Sequence, residues 1–246
     1  MKEQTFNRWF NIFMVVGMLV ATVIITIFEY GKSPEGNLLL LVASFGSIMG
    51  ILCNVCSANG NIWTFLFGFF DVSIYAVMCF IGAKYGNALL YTLYFLPMQF
   101  IGFRQWRKRG ASSEEKVEAR RFTPKQWLLY SGIFLVGSVV AYFILAKFDK
   151  GSADSFIRTA VLFDSVSMMC NLIGQFLMTL AYMEQWVFWI GVNVFTIAMW
   201  AVSLDGAADS YALVLMVKYI FFLLNSLNGL RIWLALSRKD EPLEIQ

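Results

Sequence analysis

Apolar residues come in long, nearly unbroken stretches, and the polar residues are gathered between them. Eight such runs lie at approximately 10–28, 38–56, 62–82, 85–103, 126–146, 159–183, 185–204 and 210–230. A bilayer core of about 30 Å takes about 20 apolar residues to cross at 1.5 Å rise each, so each run predicts one membrane-spanning helix. Five runs hold no Asp, Glu, Lys or Arg, and the other three hold one each: Asp71, Asp164 and Lys218. An open sheet cannot pair its backbone groups in lipid, so the expected fold class is an all-α integral membrane protein with eight transmembrane helices. The first run follows Lys2 and Arg8, as a signal peptide would. It is longer than an h-region and ends in Phe28-Glu29-Tyr30 with no small-x-small cleavage site, so a retained helix is expected.

Composition agrees with the pattern. The 246 residues are 59% hydrophobic and 14% charged, with a mean hydropathy of +0.66. Soluble chains are about 45–50% apolar and about 25% charged, so a soluble enzyme is excluded. A net charge of +3 gives no support for a nucleic-acid partner. The chain has no histidine, which removes the commonest general base and zinc ligand. Cys53, Cys56, Cys79 and Cys170 all lie in apolar runs, and Cys53-x-x-Cys56 has no second pair to complete a metal set; inert buried thiols are expected. No metal, cofactor or catalytic residue is therefore expected, and the lack of a GxxxxGK motif excludes direct ATP drive by this chain.

Lys and Arg set the orientation. With a cytoplasmic N-terminus, thirteen cations fall on inner segments and five on outer ones, so both termini are expected inside. Eight of the thirteen lie between Arg104 and Lys125. There the Arg107-Lys108-Arg109 cluster and a Ser112-x-x-Glu115 capping pattern suggest a short cytoplasmic helix or an ordered linker.

The chain also repeats itself. Gly102-x-Arg104-x-Trp106 ends the fourth run and Gly229-x-Arg231-x-Trp233 ends the eighth, 127 residues later. Phe67-x-x-x-Asp71-Val72 in the third run echoes Trp189-x-x-x-Asn193-Val194 in the seventh, 122 residues later. The repeat unit is then three helices, runs two to four and six to eight, in parallel orientation, with run five carrying the chain back across. Expected boundaries are an extra N-terminal helix at 1–30, a three-helix bundle at 38–107, a basic loop at 108–124, a linker helix at 125–147, a second bundle at 157–236 and a tail at 237–246.

This 3+1+3 layout is that of the SWEET sugar transporters. Trp186-x-x-Trp189-x-x-x-Asn193, the terminal Asn228-Gly229-x-Arg231-x-Trp233 and Asp164-Ser165 make residues 40–238 resemble the PnuC family of bacterial vitamin B3 transporters. The resemblance implies facilitated passage of nicotinamide riboside across the bacterial cytoplasmic membrane, followed by metabolic trapping. It also implies a substrate site between the two bundles and a lipid-embedded homotrimer. Asp71 and Gln99 depart from the asparagines expected of the family.

Polar side chains deep in a membrane need a partner, a cavity or a ligand. Asp71, Gln99, Asn171, Gln175, Asn193, Asn225 and Asn228 all fall near the middle of their helices, and Asn171 and Gln175 share a face four residues apart. Each of the six amides is either interhelical glue or a ligand contact; the seven polar residues together favour a cavity where the bundles meet. Amides donate and accept at once, suiting a carboxamide and ribose hydroxyls, and an aromatic face suits a pyridinium. Phe67, Trp186 and Trp189 are the candidate faces, although Trp186, Trp106 and Trp233, near helix ends, read better as an interfacial belt. Asp71 is a counter-charge to the pyridinium, a proton site, or the partner of Lys218. Arg104 and Arg231 read as snorkelling anchors. Gly46-x-x-x-Gly50 serves packing within a bundle or between subunits. Pro97 bends run four, as a hinge or a fixed kink. The competing readings are a proton-coupled transporter of a related vitamin or nucleoside, and an integral-membrane enzyme.

Overall fold

The computed structural model describes residues 2–30, 37–81, 85–148, 159–204 and 210–240. Every apolar run is helical there: α1 (Lys2–Glu29), α2 (Asn37–Ala58), α3 (Thr64–Ile81), α4 (Tyr85–Leu90), α5 (Leu96–Lys108), α6 (Pro124–Phe148), α7 (Thr159–Thr179), α8 (Gln185–Leu204) and α9 (Ser210–Leu236). Among the described residues six helices are long and apolar enough to cross a membrane: α1, α2, α3, α6, α7 and α9. Run four is divided between α4 and α5 by a π-helical turn, Tyr91–Phe95. Pro97 lacks the N–H that would continue a regular ladder, and the wider turn just before it absorbs the misfit, with the Leu96 N–H donating to Tyr91 O.

Contacts divide the chain into Met1–Glu118 and Ala119–Gln246. In the first unit α1 packs on α2, α2 on α3, and α3 on α4 and α5; in the second α6 packs on α7, α7 on α8, and α8 on α9. Each unit is thus a three-helix set with one further helix laid against its first member. In α1 and α6 only 11% of the membrane-crossing stretch is buried, against 44% in α7. The Thr26 and Ser44 hydroxyls hydrogen-bond at 2.7 Å and tie α1 to α2.

The same turn links the first two helices of each set. Asn61 N–H donates to Cys56 O at 2.9 Å and Gly60 N–H to Ser57 O at 3.0 Å, a Schellman closure with Gly60 at φ +67°. Tyr182 N–H donates to Leu177 O at 2.9 Å and Ala181 N–H to Met178 O at 3.0 Å, with Ala181 at φ +60°. The two turns and the starts of α3 and α8 are therefore 121 residues apart. That corrects the repeat register by one residue. Trp189 matches Gly68 rather than Phe67, and Asn193 matches Val72 rather than Asp71; the turn geometry sets the pairing that residue likeness had misplaced.

The basic stretch is an ordered linker and not a helix. Ser112 Oγ accepts from the Glu114 and Glu115 N–H groups, and Val117 N–H donates to Gly60 O at 3.0 Å. In the second unit Arg120 N–H donates to Ala181 O at 2.7 Å and Met183 N–H to Arg120 O at 2.9 Å. Phe122 N–H reaches the Glu184 carboxylate at 2.9 Å, and the Arg120 guanidinium lies 4.4 Å from the Tyr182 ring centre.

Candidate functional site

In the second unit, Trp186 leaves the first turn of α8 and is only 2% exposed. Its ring meets Trp233 edge to face, centroids 6.2 Å apart, and covers Gly229, where a Cβ would lie 2.5 Å from Trp186 Cη2. The first unit repeats this with smaller parts. Phe65 meets Trp106 edge to face at 4.9 Å and covers Gly102, leaving no room for a Cβ. The repeated Gly-x-Arg-x-Trp is thus a packing motif: glycine admits an aromatic ring, and tryptophan closes over its edge. Trp106 and Trp233 are fully buried, so the interfacial-belt reading of Trp106, Trp186 and Trp233 is corrected. These rings face their own bundles.

Arg231 is not a snorkelling anchor either. Its Nη2 and Nε donate to Asn228 Oδ1 at 2.9 and 3.3 Å. Asn228 is 6% exposed, and its Nδ2 has no partner. Arg104, the counterpart of Arg231, is exposed, and the counterpart of Asn228 is Ile101. The Trp186 Nε1–H is also buried without a partner. Two unsatisfied donors thus lie against the Gly229 segment, one on α8 and one on α9.

Asn193 lies two turns further along α8. Its Nδ2 donates to Trp189 O within α8 at 2.9 Å and to Ser226 Oγ of α9 at 3.0 Å, so both amide hydrogens are used and the second ties α8 to α9. Trp189 is half-buried, its ring against Gly174 of α7. Gln175 is buried beside Thr179, and Asn171 is half-buried one turn earlier on α7. Asn225 is 1% exposed.

In the first unit the polar groups are fewer. Gln99 Nε2 donates to Phe95 O at 3.1 Å, where the π turn ends, while Oε1 is buried without a partner against Gly68. The half-buried Asp71 carboxylate lies beside Gly50, where a Cβ would be 3.0 Å from Oδ1. Gly46 admits Ile74, so Gly46-x-x-x-Gly50 packs α2 on α3 within the bundle. Phe67 is half-buried. The side chain of Lys218 lies outside the described residues.

Sequence reasoning missed Phe65, Ser226, Glu184 and Gln185. Phe65 would have come from extending the 121-residue register back to the helix starts. Glu184 and Gln185 are buried at the head of α8, Glu184 with one oxygen and Gln185 with its carbonyl unpartnered. Burial raises the Glu184 carboxyl above the usual glutamate range, against smaller opposing effects from the Phe122 N–H and the Arg121 charge. All four cysteines are free.

Residues 40–235 match the family described as nicotinamide mononucleotide transporter. The nicotinamide riboside transporter PnuC of Neisseria mucosa is 34% identical over 242 residues, covering 97% of this chain and 86% of that protein. The protein of the same name from Haemophilus influenzae is 31% identical over 245 residues, covering 97% and 96%. The one from Escherichia coli K12 is 23% identical over 219 residues, covering 80% and 87%. A crystal structure of the vitamin B3 transporter PnuC superposes with a TM-score of 0.68 at 34% identity, covering 94% of this chain and 92% of that one.

Proposed function

Because the chain belongs to the nicotinamide mononucleotide transporter family, whose relatives here are named nicotinamide riboside transporters, we propose that it carries nicotinamide riboside across a membrane. The observation that carries this reading is the set of buried, unpaired polar atoms inside apolar helices: Asn228 Nδ2, Trp186 Nε1 and Gln99 Oε1. Burying a polar group without a partner costs about 1–3 kcal/mol, so such atoms point to a ligand that completes them. Nicotinamide riboside offers matching chemistry. In the second set its carboxamide and ribose accept from Asn228 and Trp186 and donate to Asn193 Oδ1. Its pyridinium suits the face of Trp189, and the first set offers groups of the same kinds in Gln99 Oε1, the Phe67 ring and the charge of Asp71. Asn171, Gln175 and Asn225 complete the polar lining.

The supporting features extend to the cell. The Lys/Arg split supports both termini in the cytoplasm of a bacterium and an inner-membrane location. Six long apolar helices, two further apolar runs and the parallel repeat support eight spans in a 1+3+1+3 order. The weakly buried outer helices suit lipid and a homotrimer. With no nucleotide motif and few charges in the spans, transport runs down the gradient, and phosphorylation inside the cell retains the product. Titration of the detergent-purified protein with nicotinamide riboside, thiamine, riboflavin and glucose tests the substrate. Saturable binding of the riboside alone is expected, and riboside binding no stronger than that of thiamine refutes it. In proteoliposomes, uptake that an imposed proton gradient concentrates, and that Asp71→Asn abolishes, would replace facilitated diffusion with proton coupling.

A further inference from the structure

Arg231 carries donors only, so the Asn228 atom it holds at 2.9 and 3.3 Å must be the carbonyl oxygen. The amide cannot turn over without facing NH2 against a guanidinium. The other end of the amide, Nδ2, is buried and unpartnered. We propose that Arg231 is a positioning residue for transport: it fixes Asn228 in the one orientation that presents a buried N–H donor to an acceptor oxygen of the substrate. The acceptor is a carboxamide carbonyl or a ribose oxygen. This rests on the substrate reading above.

The repeat supplies a control. Arg104 stands at the same place in Gly-x-Arg-x-Trp, one turn from the end of α5, but Ile101 replaces the amide and Arg104 is exposed. An arginine needed merely to anchor a helix end would matter equally at both places. One that acts through Asn228 would matter only at 231.

The test is equilibrium binding of nicotinamide riboside to the purified full-length protein. Asn228→Ala should weaken binding roughly 5- to 150-fold, the effect of removing one hydrogen bond to a buried ligand group. Arg231→Gln offers both a donor and an acceptor, so the amide populates the wrong orientation about as often as the right one; about twofold weaker binding is expected. Arg104→Gln should bind as the wild type does. Because Arg231 works through Asn228, the double variant Asn228→Ala/Arg231→Gln should lose no more than Asn228→Ala alone. Arg231→Lys keeps a single donor and should recover most of the affinity; it also serves if Arg231→Gln does not fold. Wild-type affinity in Arg231→Gln, equal losses at 104 and 231, or losses that multiply in the double variant would each overturn the proposal. So would a change confined to the 5′-mononucleotide, which would make the guanidinium a phosphate contact. Failure of the wild type to bind the riboside at all would instead refute the substrate reading.

Discussion

The set α2, α3, α4–α5 and the set α7, α8, α9 share a scaffold and differ in what they bury. Both close the first helix with the same turn, both send an aromatic from the next helix onto a glycine of the last, and both cap it with tryptophan. Inside that frame the side chains diverge. Gly68, Val72 and Ile101 of the first set stand where the second has Trp189, Asn193 and Asn228. The first set keeps Gln99 where the second has Ser226. Packing has been kept in both copies, while the amides and the second tryptophan are concentrated in one. A repeat-built transporter needs two copies to move, but only a few groups to recognise a solute.

If the aromatic on glycine is common scaffold, losing it should be costly in both sets. Phe65→Ala and Trp186→Ala each remove a buried ring and should destabilise by about 3–5 kcal/mol. Unfolding of the detergent-purified variants, without ligand, measures this. A loss at 186 with none at 65 would mean that the two sets are not held together alike.

The polar layer should separate the sets. Asn193→Ala should weaken riboside binding by about 1–3 kcal/mol, because it removes a ligand acceptor and unties Trp189 and Ser226. Val72→Ala, its counterpart, should cost about 1–2 kcal/mol of stability and leave affinity unchanged. Equal effects on affinity would erase the distinction between the two sets.

The turns differ by one residue at the left-handed position. Alanine there costs about 1–2 kcal/mol relative to glycine's freedom, so Ala181→Gly should raise stability, by about 0.5–1 kcal/mol after the entropy of the unfolded glycine is counted. Gly60→Ala should lower it by a similar amount. Melting curves of the two variants should shift in opposite directions, and shifts of the same sign would contradict the shared turn.

The helices were legible in the sequence because span length is a property of each run by itself. Gly-x-Arg-x-Trp was legible too, because its glycine and tryptophan recur at fixed spacing. What they hold was not: Phe65 and Trp186 contact residues far along the chain, and a tryptophan near a helix end looks the same whether it faces lipid or its own bundle. Nor does a residue type tell how an amide is committed. Asn193 spends its donors on α8 and α9, and Asn228 is turned by Arg231. The fastening of Phe122 to Glu184 spans 62 residues with no local pattern to announce it.

That fastening gives the smallest difference between the sets. The counterpart of Glu184 is Trp63, which is 46% exposed, so only the second set places a carboxyl in its turn. Burial holds the Glu184 carboxyl above the ordinary glutamate value of about 4.3. The folded protein therefore favours the protonated form. Its stabilising contribution is complete below that ordinary value and is lost as pH rises through the raised one. As pH rises above the ordinary glutamate value the wild type should accordingly lose melting temperature relative to Glu184→Gln, which keeps an acceptor for the Phe122 N–H and carries no titrating proton. Trp63→Gln should leave the wild-type pH profile unchanged. Parallel profiles for the wild type and Glu184→Gln would show that the carboxyl does not feel its burial. A profile that Trp63→Gln also flattened would place the titration elsewhere in the chain.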